Sequence, residues 1–271
     1  MRIGLLGAGT IARLILDHLG RGDAPAGEVV GIAGRSRTSR GADLARNHGL
    51  PFVVDRASLL ALKPDVVVEA ASHEAVRKYL LPLLESGVSV IVLSAGALAD
   101  EALLAAAKAA AATSAARLYV PSGGIGGLDA LKAACIAGVD EVSIRIAKPP
   151  RAWVGIPYVR DCGVDLERLT GAYTLFAGSA RDGVPHFPQN VNIAAVLALA
   201  GIGLARTRLE VVADPQLAYN THTIRVSGKS GRFTVVLENV PSPDNPKTAW
   251  LACYSALAAL REFASTVRFG T

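Results

Sequence analysis

The sequence contains few cysteines, and none of them belongs to a recognisable pair. Cys135, Cys162 and Cys253 are far apart, and no Cys-x-x-Cys element is present. An odd number of isolated cysteines argues against a disulfide framework and against a structural zinc site, and it is typical of proteins kept in a reducing compartment. We therefore expect a cytoplasmic protein with no metal in its functional site.

Long apolar runs are absent as well. The longest uninterrupted one extends from Ile193 to Ala205, which is too short for a bilayer span and contains glycines. The first residues have the pattern of a strand, not of a charged segment followed by an apolar leader. We expect neither a membrane-spanning segment nor a cleaved secretion signal.

Charged residues are sparse: Asp, Glu, Lys and Arg make up 19% of the chain, with a net charge of +5. The basic residues are scattered, without the stripe or recognition motif that nucleic-acid binding requires, so we expect no nucleic-acid partner. The positive excess either belongs to an ordinary solvated surface or provides a field that favours anionic ligands, such as a dinucleotide and an acidic substrate.

The first part of the chain alternates short apolar runs with amphipathic segments. Because the composition is also 51% hydrophobic and rich in glycine, the alternation predicts an α/β protein with helices on both faces of a parallel sheet. The predicted strands are Ile3–Leu6, Val29–Ala33, Phe52–Val54, Val66–Glu69, Val88–Leu93 and Arg117–Val120. The predicted helices are Ile11–Leu19, Ser39–Asn47, Ser58–Leu62, Glu74–Ser86 and Asp100–Ala112.

The pattern changes after Pro121, where polar and apolar residues alternate with the period of a one-sided antiparallel or mixed sheet. The predicted strands here are Val142–Lys148, Thr223–Ser227 and Phe233–Glu238, and the predicted helices are Leu128–Gly138, Val191–Ala200 and Ala249–Val267. We expect a dinucleotide-binding domain over residues 1–120 and a second α/β domain over 121–246. Residues 247–271 are expected to form a helix that packs back on the first domain.

A glycine turn joins the first predicted strand to the first helix. Gly7 allows the tight turn, Gly9 lets a pyrophosphate approach the backbone, and Ala12 lets the helix pack close to the strand. Thr10 and Ile11 open a helix whose unpaired N–H groups and dipole favour phosphate. In this context, between strand and helix, the pattern predicts a Rossmann domain that binds a nicotinamide or flavin dinucleotide.

The second predicted strand ends without the acidic residue that commonly binds the ribose 2′-hydroxyl of NAD. Arg35 and Ser36 stand there instead, and a guanidinium is well shaped for a 2′-phosphate. This favours competence with NADP. The alternative is that Arg35 stacks on the adenine ring, in which case either cofactor is accepted.

Small residues follow the fourth and fifth predicted strands, at the edge of the sheet where ligands bind. Ala71, Ser72, His73 and Ala95 are therefore candidate cofactor-binding residues. We expect His73 to cap the next helix and not to act as a base. The glycine-rich segment Ser122–Gly127 resembles a phosphate-binding loop, but no lysine follows its glycines, so it is better explained as a flexible domain junction.

The sequence resembles the L-aspartate dehydrogenase family along nearly its whole length. The elements that carry the resemblance are Gly7–Ala12, Val67–Ala71, Ser94–Leu98, Ser122–Gly126, Lys148–Pro150, Phe187–Asn192 and Asp214–His222. The resemblance implies a second domain that binds substrate and forms a homodimer. It also implies oxidation of L-aspartate to iminoaspartate, which hydrolyses to oxaloacetate and ammonia or enters NAD biosynthesis.

The resemblance also implies roles for individual residues. His222 is the catalytic histidine, serving as acid and base while a hydride passes from the substrate Cα to C4 of the nicotinamide. Asn190 and Gly124 contact the cofactor, although family members often have alanine at the position of Gly124. Taken alone, a loop asparagine is more often a helix cap and a loop histidine is more often solvated.

The two carboxylates of aspartate need cationic or hydrogen-bonding partners. We expect Lys148 and Asn220 to bind the substrate, with Arg151 and Lys229 as weaker candidates. Two alternative functions remain open. The first is another oxidoreductase with the same two domains, similar to homoserine dehydrogenase or to the sugar dehydrogenases; the latter typically carry Glu-Lys-Pro where this chain has Ser94–Gly96. The second is a sensor that binds NAD(P) without turnover.

Overall fold

The structure is a computed structural model that describes residues 1–21, 27–188, 190–242 and 245–270, with the backbone alone for residues 245–248. The chain divides into two compact units. The first comprises Met1–Pro121 and Cys253–Arg268, and the second comprises Ser122–Ala252 and Phe269–Thr271.

The first unit alternates strands and helices as its sequence predicted. Its elements are β1 (Arg2–Leu6), α1 (Thr10–Gly20), β2 (Glu28–Ala33), α2 (Arg40–Asn47), β3 (Phe52–Val53), α3 (Arg56–Ala61), β4 (Val66–Glu69), α4 (His73–Glu85), β5 (Ser89–Val92), a 3₁₀ helix (Ala95–Ala99), α5 (Glu101–Ser114) and β6 (Leu118–Tyr119). Within the described residues the strands form one parallel sheet of six, in the order β3-β2-β1-β4-β5-β6. This order places the reversal of winding between β1 and β4, where ligands of such sheets bind.

The strands at the centre of this sheet are almost entirely buried. β4 and β5 are buried along their whole length, and β1 is buried from its second residue on. Such continuous apolar runs fit a parallel sheet that is covered on both faces. The predicted fold class is confirmed for this unit.

The second unit is built around a mixed sheet. Its elements are α6 (Leu128–Ala137), β7 (Val139–Lys148), a 3₁₀ helix (Pro150–Trp153), α7 (Pro157–Asp161), a 3₁₀ helix (Leu166–Arg168), β8 (Tyr173–Ser179), α8 (Ala180–Gly183), a 3₁₀ helix (Val184–His186), α9 (Asn192–Ala200), β9 (Thr207–Ala213), β10 (Asn220–Gly228), β11 (Gly231–Asn239), β12 (Pro241–Ser242), β13 (Asn245–Ala249) and α10 (Trp250–Ala264). Residues of α10 from Cys253 on belong to the first unit.

Five strands of the described chain form the sheet of the second unit, in the order β11-β10-β7-β9-β8. β7 and β9 run parallel, and the other neighbours run antiparallel. The residue pattern predicted β7, β10 and β11 but not β8 and β9. Along β10 buried and partly exposed residues alternate, so that His222 and Ile224 lie on the buried face and Thr221 and Thr223 on the other.

Three further observations bear on the sequence expectations. Among the described residues, no helix has both the length and the hydropathy needed to cross a bilayer. None of the three cysteines forms a disulfide bond. Within the same residues, no group of three or more His, Cys, Asp or Glu side chains is arranged to hold a metal ion.

Candidate active site

His222 lies on the buried face of β10, and only 2% of its surface is exposed. Its Nδ1 atom is 3.0 Å from the carbonyl oxygen of Gly124. Because a carbonyl oxygen only accepts hydrogen bonds, Nδ1 carries the proton and Nε2 carries the lone pair. The glycine-rich segment before α6 therefore fixes which nitrogen of His222 is basic.

Asn239, the last residue of β11, holds the same carbonyl oxygen. Its Nδ2 donates to the Gly124 oxygen at 2.9 Å and lies 3.1 Å from Nδ1 of His222. With Nδ1 protonated, the two side chains are donors that converge on one oxygen. The sequence analysis missed Asn239 because the predicted strand ended at Glu238; counting back from the hairpin turn would have placed it opposite Asn220.

Several buried polar atoms near His222 have no hydrogen-bond partner within the described part of the chain. They are Nε2 of His222 and both amide atoms of Asn220. Asn220 and His222 are two residues apart on β10, so their side chains lie on the same face. Since buried polar groups are nearly always paired in native proteins, these atoms indicate that a polar ligand binds here.

Lys148, at the end of β7, lies next to this cluster. The antiparallel register of β7 and β10 brings Asn220 and Lys148 to the same end of neighbouring strands. The Nζ atom of Lys148 donates to the backbone oxygen of Asn190 at 3.2 Å and lies 5.3 Å from the centre of the Trp153 ring. A buried cation thus stands beside the unpartnered amide.

Burial is the largest influence on both titratable groups of the cluster. It lowers the pKa of Lys148 to about 7. It also lowers the pKa of His222 to about 4, and the charge of Lys148 acts in the same direction, while the hydrogen bond to Gly124 opposes them. At neutral pH His222 is therefore neutral and able to accept a proton, and Lys148 is near its titration midpoint.

Asn190 orients Lys148. Its Nδ2 donates to the backbone oxygen of Ala152 at 3.0 Å, and its own backbone oxygen accepts from Lys148. Val191, not Asn190, is the N-cap residue of α9. The cofactor contact expected of Asn190 stays a prediction.

The two weaker candidates, Lys229 and Arg151, are both exposed on the surface of the second unit. Lys229 is exposed in the hairpin loop, at the opposite end of β10 from Asn220, so the structure does not bring it to His222 and Asn220. Arg151 is exposed within the 3₁₀ helix Pro150–Trp153. Of the predicted substrate-binding residues, the structure brings Lys148 and Asn220 together with His222.

In the first unit, the glycine turn has the shape that a pyrophosphate requires. Gly7 has a φ of +106°, and a Cβ there would lie 2.7 Å from the backbone oxygen of Ala70. A Cβ on Gly9 would meet nothing within 4 Å, so the backbone is open to a ligand. α1 begins at Thr10 with no side-chain cap, followed by Ile11, and its first N–H groups are available to an anion.

Arg35 and Ser36 are exposed after β2, as the sequence analysis expected. Ser36 accepts a hydrogen bond from the Thr38 N–H at 3.2 Å, and its hydroxyl lies 2.8 Å from that of Thr38. No hydrogen bond or ion pair within the described residues holds the Arg35 guanidinium. This side chain can therefore reach a phosphate or an adenine ring.

The residues after β4 and β5 correct one expectation. Ser72, not His73, caps α4, because its Oγ accepts from the Ala75 N–H at 3.2 Å. The N–H groups of Ala71 and Ser72 donate within the protein, to a carboxylate described below, so any contact of these residues with a cofactor uses other atoms. Ala95 is buried at the start of its 3₁₀ helix.

Comparison with known proteins gives the family. The family model described as "Aspartate dehydrogenase, C-terminal" matches residues 129–263, and the one described as "Homoserine dehydrogenase, NAD binding domain" matches residues 7–121. An L-aspartate dehydrogenase of Methanosarcina mazei is 40% identical over 273 residues, with 100% of both chains covered. The chain belongs to the L-aspartate dehydrogenase family.

Two further members of the L-aspartate dehydrogenase family agree over the whole chain. The L-aspartate dehydrogenase 2 of Bordetella pertussis is 41% identical over 272 residues, which are 99% of each chain. The crystal structure of aspartate dehydrogenase from Thermotoga maritima matches with a TM-score of 0.75 and 30% identity, covering 100% of this chain and 99% of that one. The predicted family and fold class are confirmed: the chain is an oxidoreductase with a nicotinamide-cofactor domain of the Rossmann type.

Proposed function

We propose that the chain catalyses the NAD(P)-dependent oxidation of L-aspartate to iminoaspartate, which hydrolyses to oxaloacetate and ammonia or enters NAD biosynthesis. The observation that carries the proposal is the buried cluster of the second unit, where the unpartnered atoms of His222 and Asn220 lie beside Lys148. The cluster offers a base, an amide and a cation, which suits an amino acid with a second carboxylate. The activity in the names of relatives at 40% and 41% identity supports the same substrate.

Lys148 and Asn220 bind the substrate carboxylates in this proposal. Moving a carboxylate out of water costs several kcal/mol unless a cation and hydrogen-bond donors compensate. Lys148 supplies the charge, and Nδ2 of Asn220 supplies a donor. Oδ1 of Asn220 can accept from the substrate amine, so one side chain can contact both functional groups of an amino acid.

His222 is the proton acceptor. Its neutral Nε2 takes a proton from the substrate amine or from the water that hydrolyses the imine, and the Gly124 oxygen stabilises the imidazolium that forms. A bound carboxylate neutralises the charge of Lys148, which removes one of the two influences that lower the pKa of His222. Substrate binding thus strengthens the base. A bound nicotinamide would supply the acceptor for the hydride that leaves the substrate Cα.

The cofactor is held in this proposal by the first unit. The backbone of Gly7, Gly9, Thr10 and Ile11 binds the pyrophosphate, and Arg35 with Ser36 binds the adenosine ribose or its phosphate. The segments that contain Ala71, Ser72, His73 and Ala95 lie at the same edge of the sheet, where the nicotinamide half is bound. The family resemblance also implies cofactor contacts by Asn190 and Gly124, and these stay predictions.

One assay tests the proposed function. Initial rates of nicotinamide reduction are measured with L-aspartate, L-homoserine and simple polyols, each with NAD and with NADP. We expect turnover with L-aspartate and a value of kcat/KM at least about a hundredfold higher than with L-homoserine, because only aspartate places a carboxylate against Lys148. Preferential turnover of L-homoserine or of a polyol would assign another activity, and cofactor binding without turnover would indicate a sensor.

Arg35 is expected to decide the use of NADP. In Arg35→Ala, KM for NADP should rise about tenfold or more while KM for NAD changes little, because a charge-assisted hydrogen bond to the 2′-phosphate is lost. Arg46→Ala, which removes an exposed guanidinium paired with Asp43 on α2, is the matched control. Equal changes for both cofactors in Arg35→Ala would show that Arg35 does not contact a 2′-phosphate.

Asn239 is expected to position the ring of His222. In Asn239→Ala the Gly124 oxygen loses one of its two donors, and kcat/KM for L-aspartate should fall about tenfold. Asn239→Asp places a carboxylate near Nδ1, which raises the pKa of His222 against the charge of Lys148 and moves the acidic limb of the pH profile from about 4 to higher pH. An unmoved limb in Asn239→Asp would argue that Asn239 only fills space.

We propose further that the protein is a cytoplasmic homodimer. The family resemblance supports the dimer, and three cysteines without a disulfide bond support a reducing compartment. Sedimentation equilibrium should give about twice the 28.0 kDa of one chain. A mass that stays at that of one chain at micromolar concentration would contradict the dimer.

A further inference from the structure

Glu69, the last residue of β4, is a buried acid that the proposed chemistry does not use. Only 1% of its surface is exposed, and it lies at the carboxyl edge of the parallel sheet, in the strand next to β1. A buried carboxylate is costly unless hydrogen bonds compensate for the lost water. Its partners therefore show what it does.

Four hydrogen bonds reach the two oxygens of Glu69. Oε1 accepts from the Ala71 N–H at 2.8 Å, the Ser72 N–H at 3.0 Å and the Ser94 hydroxyl at 3.0 Å, and Oε2 accepts from the Ser94 N–H at 3.0 Å. All four partners are donors, which suits a carboxylate because it can only accept. Burial raises the pKa of Glu69, and the four hydrogen bonds oppose that rise.

These bonds connect two separate segments of the chain. Ala71 and Ser72 follow β4, whereas Ser94 follows β5 and precedes Ala95. The segment after β4 is also packed against the glycine turn, since a Cβ on Gly7 would lie 2.7 Å from the oxygen of Ala70. The carboxylate thus connects the segments after β4 and β5, and the first of these is packed against the turn after β1.

We propose that Glu69 is a positioning residue for the dinucleotide cofactor: its carboxylate sets the shape of the segments after β4 and β5 and thereby the affinity for NAD(P). It acts through Ala71, Ser72 and Ser94, because its own oxygens are occupied and buried. This inference rests on the proposed placement of the cofactor at this edge of the sheet. It is independent of which substrate is oxidised.

The test is the affinity of Glu69→Gln for reduced and oxidised cofactor. Glutamine keeps the volume, but its amide nitrogen must face an N–H or O–H donor, so at least one hydrogen bond becomes a repulsive contact. The dissociation constants of NADH and NADPH, measured by calorimetry, should rise about tenfold or more. KM for the cofactor should rise in parallel, while KM for L-aspartate stays within about twofold.

Asp65→Asn is the matched control. Asp65 precedes the same strand at its opposite end, and its Oδ2 also accepts a backbone N–H, that of Arg2. An acid-to-amide change there should leave the dissociation constants unchanged, whatever it does to the melting temperature. A purely structural role of Glu69 would instead lower the melting temperature without changing cofactor affinity.

Ser94→Ala gives a second measurement should Glu69→Gln fail to fold. It removes one of the three donors to Oε1 and keeps the Ser94 N–H, so the dissociation constant should rise about threefold or more. Wild-type affinity in folded Glu69→Gln, or in Ser94→Ala where the glutamine variant does not fold, would overturn the inference. Because the assay needs no substrate, this outcome is distinct from a failure of the wild type to oxidise L-aspartate, which would overturn the proposed function.

Discussion

Replacing His222 with asparagine is expected to lower kcat for L-aspartate oxidation by about two to four orders of magnitude. Asparagine can still donate to the Gly124 oxygen from a position near that of Nδ1, so the loop contact is kept. What is lost is Nε2, the buried and unpartnered nitrogen that the proposed reaction uses as its base. Steady-state rates at saturating cofactor and aspartate measure the effect.

Cofactor affinity provides the control for the His222 variant. The glycine turn and α1 belong to the other compact unit, so the dissociation constant of NADH should stay within about twofold of the wild type. His222→Ala should lose as much activity, and added imidazole should restore part of it by supplying the missing base. Wild-type turnover in either variant would refute the role of His222.

Lys148→Met is expected to raise KM for L-aspartate by about thirtyfold or more. Methionine has a similar length and shape but no charge, so a substrate carboxylate would be buried without a cation, which costs about 2–5 kcal/mol. The backbone oxygen of Asn190 also loses a donor. The effect should appear in KM and in the affinity for dicarboxylates such as succinate, with a smaller change in kcat.

The same lysine predicts a pH dependence. Since burial lowers the pKa of Lys148 to about 7, the free enzyme loses this charge as the pH rises through 7. Succinate binds the charged form, so its affinity should be highest below pH 7 and fall by up to about tenfold per pH unit above it. In Lys148→Met the affinity should be low and independent of pH in this range. Equal slopes in both proteins would contradict the assignment.

The parallel sheet could be predicted from the sequence because each of its strands is a continuous apolar run between helical segments. The mixed sheet was predicted only in part. β8 is mostly exposed and has an irregular register near Thr174 and Phe176, so no clean alternation marks it. β9 follows an apolar helix and turn directly, and Val211, Val212 and Ala213 are all buried, which hides the period of two.

The residues of the candidate site were harder to predict from the sequence than the strands. His222, Lys148 and Asn220 were assigned through resemblance to a family, because residues that are distant in sequence share no local pattern. Asn239 was missed for a simpler reason, since its strand was predicted to end one residue too early. The role of Glu69 was not visible in the sequence either: a glutamate that ends an apolar strand is unusual, but only its four donors show what it holds together.

The glycine-rich segment Ser122–Gly127 is understood only when its sequence and its structure are taken together. Its sequence excluded a phosphate loop, since no lysine follows the glycines, and indicated a domain junction. The structure shows that the oxygen of Gly124 holds both His222 and Asn239. A Cβ on Gly124 would lie 3.1 Å from the Cβ of Ala249 and 3.5 Å from Cε1 of His222, so the segment packs closely against the ring that it orients.

A crystal structure with cofactor and succinate or L-aspartate bound would test the central claim most directly. The account predicts a carboxylate within hydrogen-bond distance of both Nζ of Lys148 and Nδ2 of Asn220. It predicts that Nε2 of His222 faces the ligand while Nδ1 keeps its bond to Gly124. A diacid bound away from these three side chains, or a protein group bonded to Nε2, would contradict it.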